Sequence, residues 1–259
     1  MQHRGVLVFG CSDRLANSGL KADERAIVAQ DVSMIAVSTG SVVRDGETHI
    51  EDITATYLVP EDEIDHAIQK INCKAIKIGA LFSEKSIKLV SSNLQKDTQL
   101  MSVIDVEPFF KAGPAPKPEV IMALRRDILP FITILSATVP EVKALLEEAG
   151  ISTDYPKSIQ DVLAMANTLR GLGPKYVMIK REIFEESDGT TTLHFVLCGD
   201  TEPLTVTSRC ENPKRLFGAS YSIPPAIAAY LAKGYSVPGA VSAGFKFVEE
   251  MLTGGQYFD

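Results

Sequence analysis

Ile132-Thr133-Ile134-Leu135-Ser136-Ala137-Thr138-Val139-Pro140-Glu141 changes its structural period part-way along. Ile132–Ala137 is a short apolar run, as a strand buried inside a parallel sheet would be. Val139-Pro140-Glu141 then opens a helix. Proline suits the first turn, where its missing N–H has no partner to lose, and an acid suits the positive helix end. Amphipathic spacing carries this helix to Ala149. The same alternation recurs on both sides of this stretch. Val6–Gly10, Met34–Thr39, Ala75–Leu81, Ser102–Val106 and Tyr176–Lys180 read as strands. Pro60–Asn72, Ser83–Leu94, Lys117–Leu129 and Ser158–Leu172 read as helices between them. Strand–helix alternation predicts right-handed βαβ units in a doubly wound, mostly parallel α/β sheet with flanking helices.

The pattern changes after residue 176. Tyr176–Glu186 and Thr191–Gly199 flank Ser187-Asp188-Gly189, and Asp-Gly between extended runs predicts a hairpin on an antiparallel sheet edge. Two helices close the chain, Pro224–Lys233 and Val237–Leu252, with Gly234 as the stop of the first. Lys111–Pro118, rich in Pro, Ala and Gly, reads as a loop at a strand end, suited to a lid or rim. There is no internal repeat, and even composition over 1–259 predicts a single domain.

Composition narrows the function. The 259 residues are 45% hydrophobic and 23% charged, ordinary globular values, with a formal net charge of −7. That charge argues against nucleic acid and anionic membrane as partners. No apolar run approaches the roughly 20 residues of a membrane span, and no signal peptide is visible. Cys11, Cys73, Cys198 and Cys210 show no CxxC spacing, so neither a disulfide framework nor zinc is suggested. The expectation is a reduced, cytoplasmic protein acting on a small molecule. His3, His49, His66 and His194 lie away from the strand ends where such a site should form.

In open α/β sheets ligands bind beyond the carboxyl ends of the strands. Several motifs fall there. Asp13–Asp23 has the spacing of D-P-S-G-G-A-G-I-Q-A-D, and Ile76–Leu81 that of I-K-x-G-M-L. Val103–Val106 with Lys111-Ala112-Gly113 looks like V-V-D-P…x-S-G. Leu135–Glu141 is similar to L-T-P-N-x-P-E, and Val177–Lys180 to the start of V-L-V-K-G-G-H. In this order and spacing the chain resembles the hydroxymethylpyrimidine/phosphomethylpyrimidine kinases of the ribokinase-like superfamily, as a divergent, fungal-like member. The resemblance implies Mg and ATP as cofactors if kinase activity is retained, and a homodimer. It implies metal-side carboxylates at Asp105 and Glu141 and a phosphate-side lysine at Lys180. Asp13, Asp23, Gly79 and Ala80 would line the substrate.

Against that resemblance the anion turn departs. The family's G-T-G-C is Gly218-Ala219-Ser220-Tyr221 here. A phenol with an ordinary pKa near 10 is a poor base at neutral pH. Ser220 stands where glycine permits close backbone approach to a phosphate. Pro224 and Pro225 would cost roughly 3 kcal/mol apiece inside a helix begun at Gly218. A start near Ser222, with the prolines in the first turn, is easier. Thr138, Arg181-Glu182 and Ala16-Asn17 also replace family residues on the nucleotide side. On the substrate side, Cys11 replaces a glycine, Ala80 a methionine and Glu107 a valine. Arg44 stands at a base-reading glutamine.

Three readings follow. In the first, a repurposed enzyme runs acid–base chemistry of isomerase, lyase or cyclase type. Glu107 would move the proton, Tyr221 would donate to an oxyanion, and Cys11 and Arg44 would share the cavity. An Arg44–Glu107 ion pair is the plainer account of those two residues. In the second, the chain remains an active Mg·ATP-dependent hydroxymethylpyrimidine- or pyridoxal-type kinase. In the third, it is a pseudo-kinase that binds a metabolite or a protein.

Overall fold

The structure is a computed structural model describing residues 4–13, 19–45, 49–54, 61–111, 116–185, 191–209 and 220–253. It runs β1 (Gly5–Asp13), α1 (Leu20–Val28), β2 (Ser33–Asp45), β3 (His49–Thr54), α2 (Glu61–Lys70) and β4 (Cys73–Ile78). There follow α3 (Glu84–Lys96), β5 (Met101–Asp105), α4 (Glu107–Lys111), α5 (Pro118–Asp127), β6 (Ile134–Ala137), α6 (Val139–Glu148) and α7 (Ile159–Arg170). The last elements are β7 (Tyr176–Glu185), β8 (Thr191–Cys198), β9 (Leu204–Arg209), α8 (Ile223–Ala232) and α9 (Val237–Thr253).

The described strands form one sheet, ordered β3-β2-β1-β4-β5-β6-β7-β8-β9. From β2 to β7 every neighbour is parallel. Both edges are antiparallel: β3 on β2, and the β7–β8–β9 meander. Side-chain alternation feeds two cores. Ile76, Ile104, Leu135 and Val177 face one layer with Ile87, Leu124, Leu145 and Leu169. Ala75, Val103, Ile134 and Met178 face the other with Ile27, Ile227, Val241 and Phe245. Helices on both faces therefore bury the central strands, which is why those strands read as apolar on both sides.

The doubly wound sheet and its edge hairpin match the expectation, and four elements go beyond it, the short α4 among them. β3 and β9 were not anticipated, so the antiparallel edges are wider than the single predicted hairpin. α1 was not read as a helix. Its buried face is Ala22, Asp23, Ala26 and Ile27, and small or charged residues leave little hydrophobic period.

The C-terminal pair follows the reading closely. Ser222 is the N-cap of α8, and Pro224 and Pro225 occupy its first turn. Gly234 has φ +92, its N–H reaches Leu231 O at 2.9 Å, and Tyr235 N–H reaches Tyr230 O at 3.1 Å. These two bonds form a Schellman stop. Gly19, which starts α1 at φ +61, is more confined. A Cβ there would collide with the Cys11 carbonyl oxygen, whereas one on Gly234 would meet only the end of Arg4, at 3.4 Å. In urea unfolding Gly234→Ala should lose about 1 kcal/mol, the left-handed penalty alone. Gly19→Ala should lose about 2 kcal/mol or more, because backbone strain and collision act together.

Candidate active site

The chain leaves β1 toward β2 on one side and returns to β4 on the other. The crevice between the carboxyl ends of β1 and β4 is therefore the switch point where α/β sheets take ligands. There Gly79 N–H donates to Phe9 O at 2.7 Å, and a Cβ on Gly79 would lie 3.6 Å from the Gly10 Cα. The register of β1 against β2 slips between Gly10 and Cys11. Lys77, from β4, meets Asp23, from α1, at 2.7 Å to Oδ1 and 2.8 Å to Oδ2. Both residues are buried. Asp23 and Gly79 thus both lie beside Lys77, which engages both Asp23 oxygens, and the Ala80 carbonyl accepts from the Thr39 hydroxyl at 2.8 Å. Cys11 is buried at the end of β1, while Ser12 and Ser38 hydroxyls meet at 3.3 Å.

A second cluster closes the ends of β5, β6 and β7. Lys180 Nζ lies 2.8 Å from Asp105 Oδ1 and 2.9 Å from Glu107 Oε2, and all three residues are buried. β7 ends its pairing with β6 at Ile179, and its register against β8 slips between Ile179 and Glu182. An irregularity of this kind re-aims a side chain, here at the residue that turns inward. Asp105 ends β5, and its Oδ1 also accepts the Glu107 N–H at 3.4 Å. Burial pulls the Lys180 ammonium pKa down, but the charges of Asp105 and Glu107 and the hydrogen bonds to both outweigh it. The pKa is held above the ordinary lysine value.

Glu141, at the start of α6, accepts the Thr138 N–H on Oε2 at 2.6 Å. Its Oε1 and the Ser136 hydroxyl are buried without a hydrogen-bond partner among the described residues. Burial raises the Glu141 pKa. The Thr138 N–H opposes the rise and the Glu107 charge adds to it.

The remaining candidates are less fully placed. Asp13 and Arg44 belong to β1 and β2, but their side chains lie outside the described residues, as do Gly218 and Ala219 altogether. Ser220 and Tyr221 form a 3-10 turn with Ser222, and Tyr221 is half-buried. The plain alternative of an Arg44–Glu107 pair falls on a side chain outside the described residues, and Glu107 has a partner that the sequence reading did not give it, namely Lys180. Lys77 was not singled out either. The available signal was a lysine inside an apolar strand, because a buried lysine needs an acid. Among the described residues no three His, Cys, Asp or Glu side chains are grouped to hold a metal ion, and no helix is long and apolar enough to cross a membrane.

The sequence pattern described as phosphomethylpyrimidine kinase matches residues 13–258. The chain belongs to the phosphomethylpyrimidine kinase family. A hydroxymethylpyrimidine/phosphomethylpyrimidine kinase of Mycobacterium tuberculosis is 26% identical over 256 residues, covering 95% of this chain and 87% of the relative. One from Rhizobium meliloti is 25% identical over 252 residues, covering 96% of this chain and 90% of the relative. The fold matches the Staphylococcus aureus pyridoxal kinase in complex with AMP-PCP at TM-score 0.78 and 22% identity, over 96% of this chain and 88% of that one. It matches the Clostridium difficile phosphomethylpyrimidine kinase at TM-score 0.75 and 22% identity, over 96% and 99% of the two chains.

Two predictions concern the buried charges of this family member. Lys180→Met leaves Asp105 and Glu107 buried without their cation and should cost about 3–5 kcal/mol in urea unfolding. The raised Glu141 pKa means that the folded state holds the proton more tightly than the unfolded chain. Its contribution to stability is complete below the ordinary glutamate value of 4.5 and fades as pH rises through the folded pKa. Glu141→Gln should remove that fall from a pH series of unfolding curves.

Proposed function

We propose that this family member binds a small ring compound in the crevice at β1, β4 and β5 but has lost efficient phosphoryl transfer from Mg·ATP. One observation carries this reading. α8 begins at Ser222 with Pro224 and Pro225 in its first turn. Phosphate binding at a helix start depends on the free backbone N–H groups of that turn. Two of those donors are chemically absent here, and no movement of the chain restores them. Tyr221, directly before this helix start, offers a phenol where the resembled kinases have a thiol or carboxylate, and a phenol of ordinary pKa near 10 is a poor acceptor of a substrate hydroxyl's proton.

The residues present therefore do not fit Mg·ATP. Lys180, in the place of a phosphate-side lysine, is neutralised by Asp105 and Glu107. Asp105, in the place of a metal-side carboxylate, already accepts from that lysine. The crevice itself remains polar, with Cys11, Gly79, Ala80 and Tyr221 as candidate wall residues. That combination supports a site for a neutral or weakly charged heterocycle.

A second reading is favoured by Glu141. A buried carboxyl whose pKa is raised by burial, with one oxygen that has no hydrogen-bond partner among the described residues, keeps its proton to higher pH than an ordinary glutamate, as a proton donor to a small molecule must. In this reading Glu107 is a positioning residue, because its carboxylate is engaged by Lys180 at 2.9 Å.

Incubating the chain with hydroxymethylpyrimidine or pyridoxal and Mg·ATP, and following products by phosphorus NMR, tests the proposal. No phosphorylated product above background is expected, while calorimetry detects the ring compound alone. Turnover within about tenfold of a typical kinase rate of 1–100 per second would overturn it.

A further inference from the structure

We propose that Glu107 is a built-in counter-ion that occupies Lys180 in place of a phosphate, so that the site selects against nucleotides. The inference rests on the reading above, but it concerns binding rather than the chemical step. Asp105 alone supplies the one negative charge needed to balance the Lys180 ammonium, at 2.8 Å. Glu107 places a second carboxylate at 2.9 Å on the same ammonium, in a fully buried place. Lys180 holds its carboxylate and Asp105 Oδ1 accepts from its backbone N–H.

A phosphate oxygen approaching Lys180 would have to displace one of these carboxylates. The displaced carboxylate would stay buried with its contact to that ammonium lost, beside another anion. Both effects oppose binding in a low-dielectric site. The neighbouring charges do not relieve this. Lys77 is committed to both oxygens of Asp23. Glu141 adds a further carboxyl next to the cluster. The described strand ends thus set Asp23, Asp105, Glu107 and Glu141 against Lys77 and Lys180. That excess disfavours a polyphosphate and tolerates a neutral or cationic ring.

The test compares ADP with adenosine, which lacks the phosphates, by calorimetry on the full chain and on Glu107→Gln and Glu107→Val. The wild type should bind ADP no more tightly than adenosine. Either folded variant should gain about tenfold or more for ADP while adenosine stays within about twofold, because only the phosphates need Lys180. Folding is checked by cooperative melting. Wild-type affinity for ADP about tenfold or more above that for adenosine would overturn the proposal, and this comparison decides even if both variants fail to fold. Folded variants with no gain for ADP would overturn it equally. Phosphoryl transfer measured on the same samples separates the two ideas. ADP binding restored without transfer leaves both standing. Transfer appearing in Glu107→Val keeps the counter-ion and overturns the helix-start explanation. Wild-type transfer overturns the proposed function, and the ADP-to-adenosine ratio alone then judges the counter-ion.

Discussion

A lysine ammonium taken fully out of water must find an anion, and most of the site is arranged around meeting that demand. Lys180 is completely buried, and it holds Asp105 and Glu107 at hydrogen-bond distance. The three come from three different elements, β7, β5 and α4. Their ion pairs therefore tie the carboxyl ends of the sheet together as well as balancing charge. A buried ion pair contributes little net stability compared with an apolar substitute, yet removing one partner is strongly destabilising. Such a cluster is best understood as a fixed electrostatic floor. Under the proposal above, it sets which ligand charges the crevice can accept.

The sheet explains why the charges lie where they do. Helices cover both faces of the central strands, so the residues in the middle of those strands are mostly apolar or small. Polar groups can appear only where the strands end. At the switch point Gly10 and Gly79 bring β1 and β4 close above the Lys77–Asp23 pair. Register slips at Gly10/Cys11 and after Ile179 fall at the two charge clusters. The regular sheet thus gives way at the points where side chains must turn toward the crevice.

Legibility in the sequence tracks the range of the interaction involved. The βαβ alternation, the Ser222 start of α8 and the Gly234 stop depend on neighbours within a turn or two, and each was readable from local residues. α1 hid because its buried face carries Asp23, whose burial makes sense only with Lys77, far along the chain on β4. β3 and β9 hid because an edge strand is defined by the partner it pairs with, and its own run is short. Glu107 was recognised as unusual, but its engagement by Lys180 spans α4 and β7 and has no local signature. Resemblance located Asp105, Glu141 and Lys180. Only the fold shows that Lys180 and Asp105 spend their charge on each other.

The two features on which the proposed loss of phosphoryl transfer rests differ in kind, and the difference matters for what the molecule could still do. The absence of N–H groups at Pro224 and Pro225 is covalent. A helix start lacking those donors stays deficient in every conformation the chain can reach, so it limits the stabilisation of charge developing during transfer. The Lys180 cluster is electrostatic. It raises the penalty for bringing a phosphate to the lysine, but that penalty changes with protonation of Glu141 and with any cation that enters the crevice. In the proposed reading, binding of an anion is thus conditional, whereas catalysis of its transfer is limited by covalent structure. A site built in this way could keep recognising a ring compound, and its scope for change would lie in affinity rather than in transfer chemistry.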